Sequence, residues 1–317
     1  MKLGCSSLTL MNYCKVIRES AEDQSALLEP DANGFTRVMA WASGLGFSSA
    51  ELWIQSENHL STLLNEDLAP LRQAVSDLGM TTDYLTCDFA AEWFLTQSQD
   101  YLEKQFGRLA LFARRMGIRT IASISPPLPA TTAKRSLVYP GAPPSEVKLL
   151  PAFSWDRSWN RYVGRIRMLT EVLRRQSLNL GVEPRAREVL SNTDSILRLV
   201  DEVSVENLGG IIDTSHLRIM REIPAVSVYK LGKKLFEFQA SESDGITAYH
   251  WAPGQGEVDW VETLEALGRV GFNEDILIDV VGINMEKEIL DGTAYVGGLL
   301  KRLKLWSDSR QVKTARM

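Results

Sequence analysis

Cysteine and histidine are both scarce, three of each in the whole chain. Cys5, Cys14 and Cys87 are odd in number and widely spaced, which neither closes a disulfide framework nor builds a zinc knuckle. They read as reduced thiols of a cytoplasmic protein. Long apolar runs are also missing. The first, residues 3–10, is interrupted by Cys5, Ser6 and Ser7 and is too short for a signal segment, and no later run approaches the roughly 20 residues that a membrane span needs. An excess of one charge is missing as well: 35 basic residues stand against 40 acidic ones, so no net field gathers phosphate backbones or anionic lipid. Neither nucleic acid nor membrane is an expected partner.

What is present is an ordinary globular composition, 44% apolar and 24% charged, in 317 residues. That suffices for a sizeable core in one domain, provided that the domain is of a type that reaches such a length. Short β-branched or apolar runs occur at 2–7, 49–54, 82–87, 120–125, 179–183, 209–213, 235–239 and 276–280. Between them lie amphipathic segments at 34–44, 68–78, 101–116, 161–176, 194–203, 224–233, 260–270 and 294–304. Eight strands, each followed by a helix, predict an α/β fold closed as a (β/α)8 TIM barrel over residues 1–306, with 307–317 as a polar tail. Glycines at Gly46, Gly79, Gly117 and Gly271 stand where helices should end. After the fourth strand, residues 126–158 are Pro-rich and carry Tyr139, Phe153 and Trp155, with Trp159 just beyond. This is too long for a bare connection and reads as an active-face insertion loop.

Four strand candidates end in a polar residue after an otherwise apolar run: Glu183, Asp213, Gln239 and Asp279. In a barrel these positions converge on one small volume at the carboxyl face, where chemistry is done. Three carboxylates there repel one another unless a cation sits among them, and a set rich in oxygen favours Mn2+ or Mg2+ over structural zinc. Taken singly, each of these acids is more readily a helix N-cap or a strand-end surface charge; four consecutive strands ending this way shift the balance. His216 and His250 are near enough in sequence to this constellation to be candidate substrate contacts, and each is otherwise a hydrogen-bonded structural histidine. Trp53 is a candidate wall for a sugar ring, with core packing as the ordinary alternative. Glu242 is a candidate acid around the site, and the glycines of residues 253–256 read as tight turns, because no strand-to-helix phosphate motif surrounds them.

The stretches Leu-Gly-Val-Glu-Pro at 180–184, Ile-Ile-Asp-Thr-Ser-His at 211–216, Phe-Glu-Phe-Gln-Ala-Ser-Glu-Ser-Asp-Gly at 236–245, His-Trp-Ala-Pro-Gly-Gln-Gly-Glu-Val-Asp-Trp at 250–260 and Ile-Asp at 278–279 together resemble the xylose-isomerase-like barrel superfamily of sugar isomerases and epimerases. The resemblance implies that Glu183 binds metal and moves a proton, that Asp213 is a ligand, that His216 contacts substrate, and that Asp279 is a further ligand and the second proton-shuttling acid. Gln239 stands where such barrels commonly carry His, and an amide oxygen still ligates Mn2+ or Mg2+. Asp279 is one methylene shorter than the Glu usual there, which puts symmetric two-base epimerisation in doubt. Gly245 occupies the place of a sugar-holding Arg, leaving Arg185 or Arg187 for that task. The implied activity is a metal-dependent isomerase or epimerase of a sugar or related polyhydroxy carbonyl compound, working through an enediolate, with a dimeric or tetrameric assembly. A lyase or dehydratase on a keto-cyclitol or oxidised glycoside is the first alternative, and a barrel that has lost its chemistry is the second. A multi-metal phosphodiesterase of the same fold is disfavoured by the three histidines and the net charge of −5.

Overall fold

The computed structural model describes residues 1–18, 29–133, 147–282 and 284–307. Nine short strands form one parallel sheet: β1 (Leu3–Cys5), β2 (Ser49–Ala50), β3 (Leu52–Trp53), β4 (Tyr84–Thr86), β5 (Thr120–Ile124), β8 (Asn179–Glu183), β9 (Leu208–Asp213), β10 (Leu235–Ala240) and β11 (Ile276–Ile278), while β6 (Ala130–Ala133) and β7 (Val147–Leu149) make a separate antiparallel hairpin. The order β2-β1-β11-β10-β9-β8-β5-β4-β3 comes round on itself, because β2 and β3 are two halves of one strand on either side of Glu51. The lower half pairs with β1 and the upper half with β4. The result is the parallel β/α barrel that the alternation predicts.

Helices clothe the barrel because their apolar residues recur at helical spacing. In α8 (Thr193–Val203) the buried positions Ile196, Leu199, Val200 and Val203 form one stripe, and the start is set by a reciprocal capping box between Asn192 and Ser195. Truncating one such leucine to alanine removes buried contacts worth about 2–5 kcal/mol. The helix exits behave as read: Gly117 and Gly271 cap α6 (Gln99–Met116) and α11 (Trp260–Val270) at φ +79 and +77, a left-handed turn that costs glycine nothing.

Several boundaries differ from expectation. A helix not anticipated, α1 (Ser7–Arg18), follows β1 directly. The helix expected from residue 161 begins earlier, as α7 (Trp155–Arg174), where the Ser154 hydroxyl accepts from Arg157 N at 3.4 Å. Trp155 and Trp159 therefore belong to a helix rather than to a loop, and Trp159 is buried with its indole N–H on Glu202 at 2.9 Å. The insertion is correspondingly shorter, running from Pro126 to the cap of α7, and part of it is the β6–β7 hairpin. Tyr139 and the tail beyond Ser307 lie outside the described residues. The last helix, α12 (Met285–Arg302), starts nine residues before the expected 294, because Gly292 continues the buried stripe without a side chain to reveal it. A Cβ at Gly292 would sit 2.7 Å from Pro253, so this helix approaches the 251–258 turn closely. Among the described residues no helix is long and apolar enough to cross a membrane.

Candidate active site

The carboxyl ends of β8 to β11 bring the expected residues to one buried cluster. Glu183 and Asp213 are the last residues of their strands, Gln239 is the penultimate residue of β10, and Asp279 immediately follows β11. All four are buried, with Gln239 the most accessible at 8%. Two imidazoles join them. Asp213, His216 and His250 offer ligand atoms that all lie within 4.8 Å of one another. His216 comes on α9 (Thr214–Ile219), the short helix that Asp213 itself caps by accepting from Ser215 N at 2.8 Å.

Each carboxylate is held differently. Asp279 has both oxygens engaged: Oδ1 accepts from the Ser6 hydroxyl, and Oδ2 lies 2.7 Å from His250 Nδ1. Asp213 has Oδ1 engaged by Ser215 N and by Ser241 Oγ at 2.6 Å. Its Oδ2 accepts no hydrogen bond and lies 3.5 Å from His250 Nδ1 and 3.6 Å from His216 Nε2. Glu183 gives Oε2 to Arg185 Nη2 at 2.9 Å, while Oε1, 3.8 Å from His216 Nε2, is buried without a hydrogen-bond partner. Buried carboxylate oxygens without partners are costly, and a cation among them would supply what they lack. By that test the residues present fit a metal ion: the buried Asp/His/His group could bind one, flanked by Glu183 and Asp279.

The electrostatics follow from burial and proximity. Burial, reinforced by Asp213, Asp88 and Asp279, lifts the Glu183 carboxyl well above its ordinary range against the pull of Arg185. Burial opposes ionisation of Asp213 too, but His250 and His216 outweigh it and hold that carboxyl below its usual value. His250 is disfavoured as a cation by burial, yet the carboxylates of Asp213 and Asp279 prevail and raise it to about 9. Burial, then the neighbouring Arg185, keep His216 neutral. Arg185 Nη1 also contacts His216 Nε2, and since a guanidinium only donates, Nε2 must carry the lone pair and Nδ1 the proton. That Nδ1 is buried and has no acceptor among the described residues.

The other expected residues fall in different places. Arg185 is in the site, tied to Glu183 and His216. Trp53 is fully buried, edge-on to Phe35 with centroids 4.9 Å apart, in the core. Glu242 is buried beneath the glycine turn: it accepts from Trp260 Nε1 at 2.6 Å and from Gly254 N and Val258 N at 3.3 Å. The glycines thus wrap an anion that belongs to the protein itself, and this clamp sits beside His250 and the Glu242–Trp251 bridge. Gln239 donates from Nε2 to Glu237 Oε1 at 2.5 Å. Sequence reasoning passed over Ser6, Ser241, Glu51 and Glu237. The two serines could have been noticed as hydroxyls placed directly after β1 and β10; the two acids are visible only as charges inside otherwise apolar strands.

A family profile for the xylose isomerase-like TIM barrel matches residues 39–295. The chain belongs to that family. An uncharacterized protein of Methanocaldococcus jannaschii is 29% identical over 149 residues, 42% of this chain and 50% of that protein, so the chain spans about half the length of this relative. Among solved structures, an L-ribulose 3-epimerase superposes with a TM-score of 0.71 at 15% identity over 96% of both chains. The probable 3-DHS dehydratase AsbF of Bacillus anthracis, involved in petrobactin synthesis, superposes with a TM-score of 0.69 at 14% identity, covering 94% of this chain and 99% of that one. At such identities the likeness establishes the fold.

Proposed function

We propose that this barrel is a divalent-metal-dependent isomerase or epimerase of a sugar or related polyhydroxy carbonyl compound, transferring a proton between neighbouring carbons through an enediolate. The observation that carries the reading is the pair of buried, unpartnered carboxylate oxygens, Glu183 Oε1 and Asp213 Oδ2, opposite the imidazoles of His216 and His250. The residues that would hold the ion are Glu183, Asp213, Gln239 and Asp279, with the two imidazoles in reach. A bound Mn2+ or Mg2+ supplies positive charge beside a carbonyl and its neighbouring hydroxyl, acidifying the carbon–hydrogen bond between them.

The chain's own groups divide the remaining work. Glu183 is the better proton acceptor, since Arg185 orients one oxygen and leaves the other free. His216 Nδ1–H is a donor awaiting an acceptor and suits a substrate hydroxyl. Arg185 and His250 line the same volume, and Glu242 acts by fixing the turn that carries His250. Asp279 is the second acid.

A lyase is the second reading, and one observation favours it: both Asp279 oxygens are already engaged, so of the two acids assigned to proton transfer only Glu183 keeps a free oxygen. Elimination of a β-hydroxyl needs one base and a leaving group, whereas epimerisation needs proton transfer at two faces. The known likeness to both a 3-epimerase and a dehydratase accommodates either outcome. The deciding experiment is proton exchange in D2O with Mn2+ present, following ketoses, keto-cyclitols and 3-keto-glycosides by NMR. Deuterium entering beside the carbonyl, and not in Glu183→Ala, supports the site; the product separates isomer from eliminated fragment. Protein that binds Mn2+ no better than Glu183→Ala and exchanges nothing would be a barrel without this chemistry.

A further inference from the structure

We propose that Glu237 is a positioning residue that holds the side-chain amide of Gln239 with its nitrogen turned away from the site and its oxygen left to face it. The inference rests on Gln239 serving as a ligand. A primary amide has two ends of similar size and opposite use: the oxygen can ligate a hard cation, and the NH2 group can only repel it. The terminal torsion of glutamine is broad, with two orientations about 180° apart. A glutamine ligand therefore needs something to hold its nitrogen.

Glu237 is built to do this. It lies two residues before Gln239 on β10, so strand geometry places both on one face. Phe238, between them, packs against Phe272 on the other side. Glu237 Oε1 receives Gln239 Nε2 at 2.5 Å, which fixes the nitrogen end of the amide on the Glu237 side. Glu237 is fully buried, its other oxygen has no partner, and its one hydrogen bond among the described residues goes to Gln239. Burying a carboxyl for a single bond is unfavourable for folding, and a leucine would fill the barrel more cheaply.

The test uses Mn2+ alone, titrated into the full chain and followed by the electron paramagnetic resonance of the free ion. Glu237→Met should weaken Mn2+ binding about tenfold or more, the usual cost of losing a group that orients a ligand. Glu237→Gln, which keeps an acceptor oxygen in the same place, should stay within about threefold of the native protein. The double variant Glu237→Met/Gln239→Ala should bind no worse than Gln239→Ala, because the first residue acts through the second. Native-like binding by Glu237→Met while Gln239→Ala is weakened would overturn the positioning role, as would additive losses in the double variant. Native-like binding by Gln239→Ala would instead overturn the ligand reading beneath it. Should Glu237→Met not fold, 15N spectra of the native protein decide: the Gln239 side-chain NH2 pair, assigned by its loss in Gln239→Ala, should be protected from solvent exchange. A pair exchanging like free glutamine would refute the anchor.

Discussion

His250 is fastened to the end of the last barrel strand twice: its Nδ1 lies 2.7 Å from Asp279 Oδ2, and its carbonyl accepts from Val281 N at 2.9 Å. It takes this position with φ at +51, a left-handed conformation that costs a residue with a side chain on the order of 1 kcal/mol. Local strain is thus offset by a cross-link between the glycine turn and the carboxylate cluster.

His250→Gly separates the two contributions. Glycine accepts the backbone conformation and relieves the strain, but Asp213 and Asp279 lose the cation buried between them and Asp279 loses the group that holds Oδ2, so the chelator-treated variant should melt well below the native protein. Exchange of substrate protons in D2O should fall about 10–100-fold, as for loss of groups that orient metal ligands. Undiminished exchange would remove His250 from the site.

Glu242 should matter for folding before it matters for chemistry. Its carboxylate receives an indole N–H and several backbone N–H groups, so Glu242→Gln sets an NH2 group against donors and should cost about 1–3 kcal/mol in urea unfolding. Burial raises this carboxyl's pKa while its hydrogen bonds pull the other way. A variant as stable as the native protein would mean that the turn does not depend on this anion.

Arg185 is the resident cation beside Glu183. Arg185→Met leaves a buried carboxylate without its partner, and chelator-treated protein should lose about 3 kcal/mol or more. Mn2+ should restore much of that loss, so the rise in melting temperature on adding Mn2+ should be larger in the variant than in the native protein. Equal shifts would place the ion away from Glu183.

Glu51, fully buried between β2 and β3, predicts a pH dependence. Burial raises its carboxyl to about 7, against hydrogen bonds from the Ser7 N–H at 2.8 Å and the Thr86 hydroxyl. The folded chain therefore keeps a proton that the unfolded chain releases near pH 4.5. The resulting stability is present at low pH and is lost as pH rises from about 4.5 through 7, on the order of 3 kcal/mol in all. Glu51→Gln should flatten that slope, and the variant should be more stable than the native protein at pH 8 in chelator. A native-like slope in the variant would assign the titration to another group.

Much of this architecture was legible in the chain. The strand at Asn179–Glu183 and the helix at Trp260–Val270 were read with their observed limits, because alternation and capping residues are local signals. The starts of α7 and α12 were not, for local reasons too: Trp155, which opens α7 just after a Pro-rich stretch, looks like a loop aromatic, and Gly292 hides a buried stripe. Trp53 was a candidate sugar wall with core packing as the ordinary reading, and its place edge-on to Phe35 is the core. Glu242 looked like an acid for substrate and is satisfied by the turn around it.

From the order of residues alone came the alternation that closes a barrel and the polar strand ends that gather at its mouth, since both depend on periods of two and 3.6 residues within single elements. Which oxygens stay free, and which imidazoles stand against them, depended on contacts such as Ser6 with Asp279, 273 residues apart, and Arg185 with His216, 31 apart. Hydrogen-bond partners at such separations are chosen by the register and tilt of the closed sheet. Only the tertiary structure could therefore leave Glu183 and Asp213 each with one open oxygen while engaging both oxygens of Asp279.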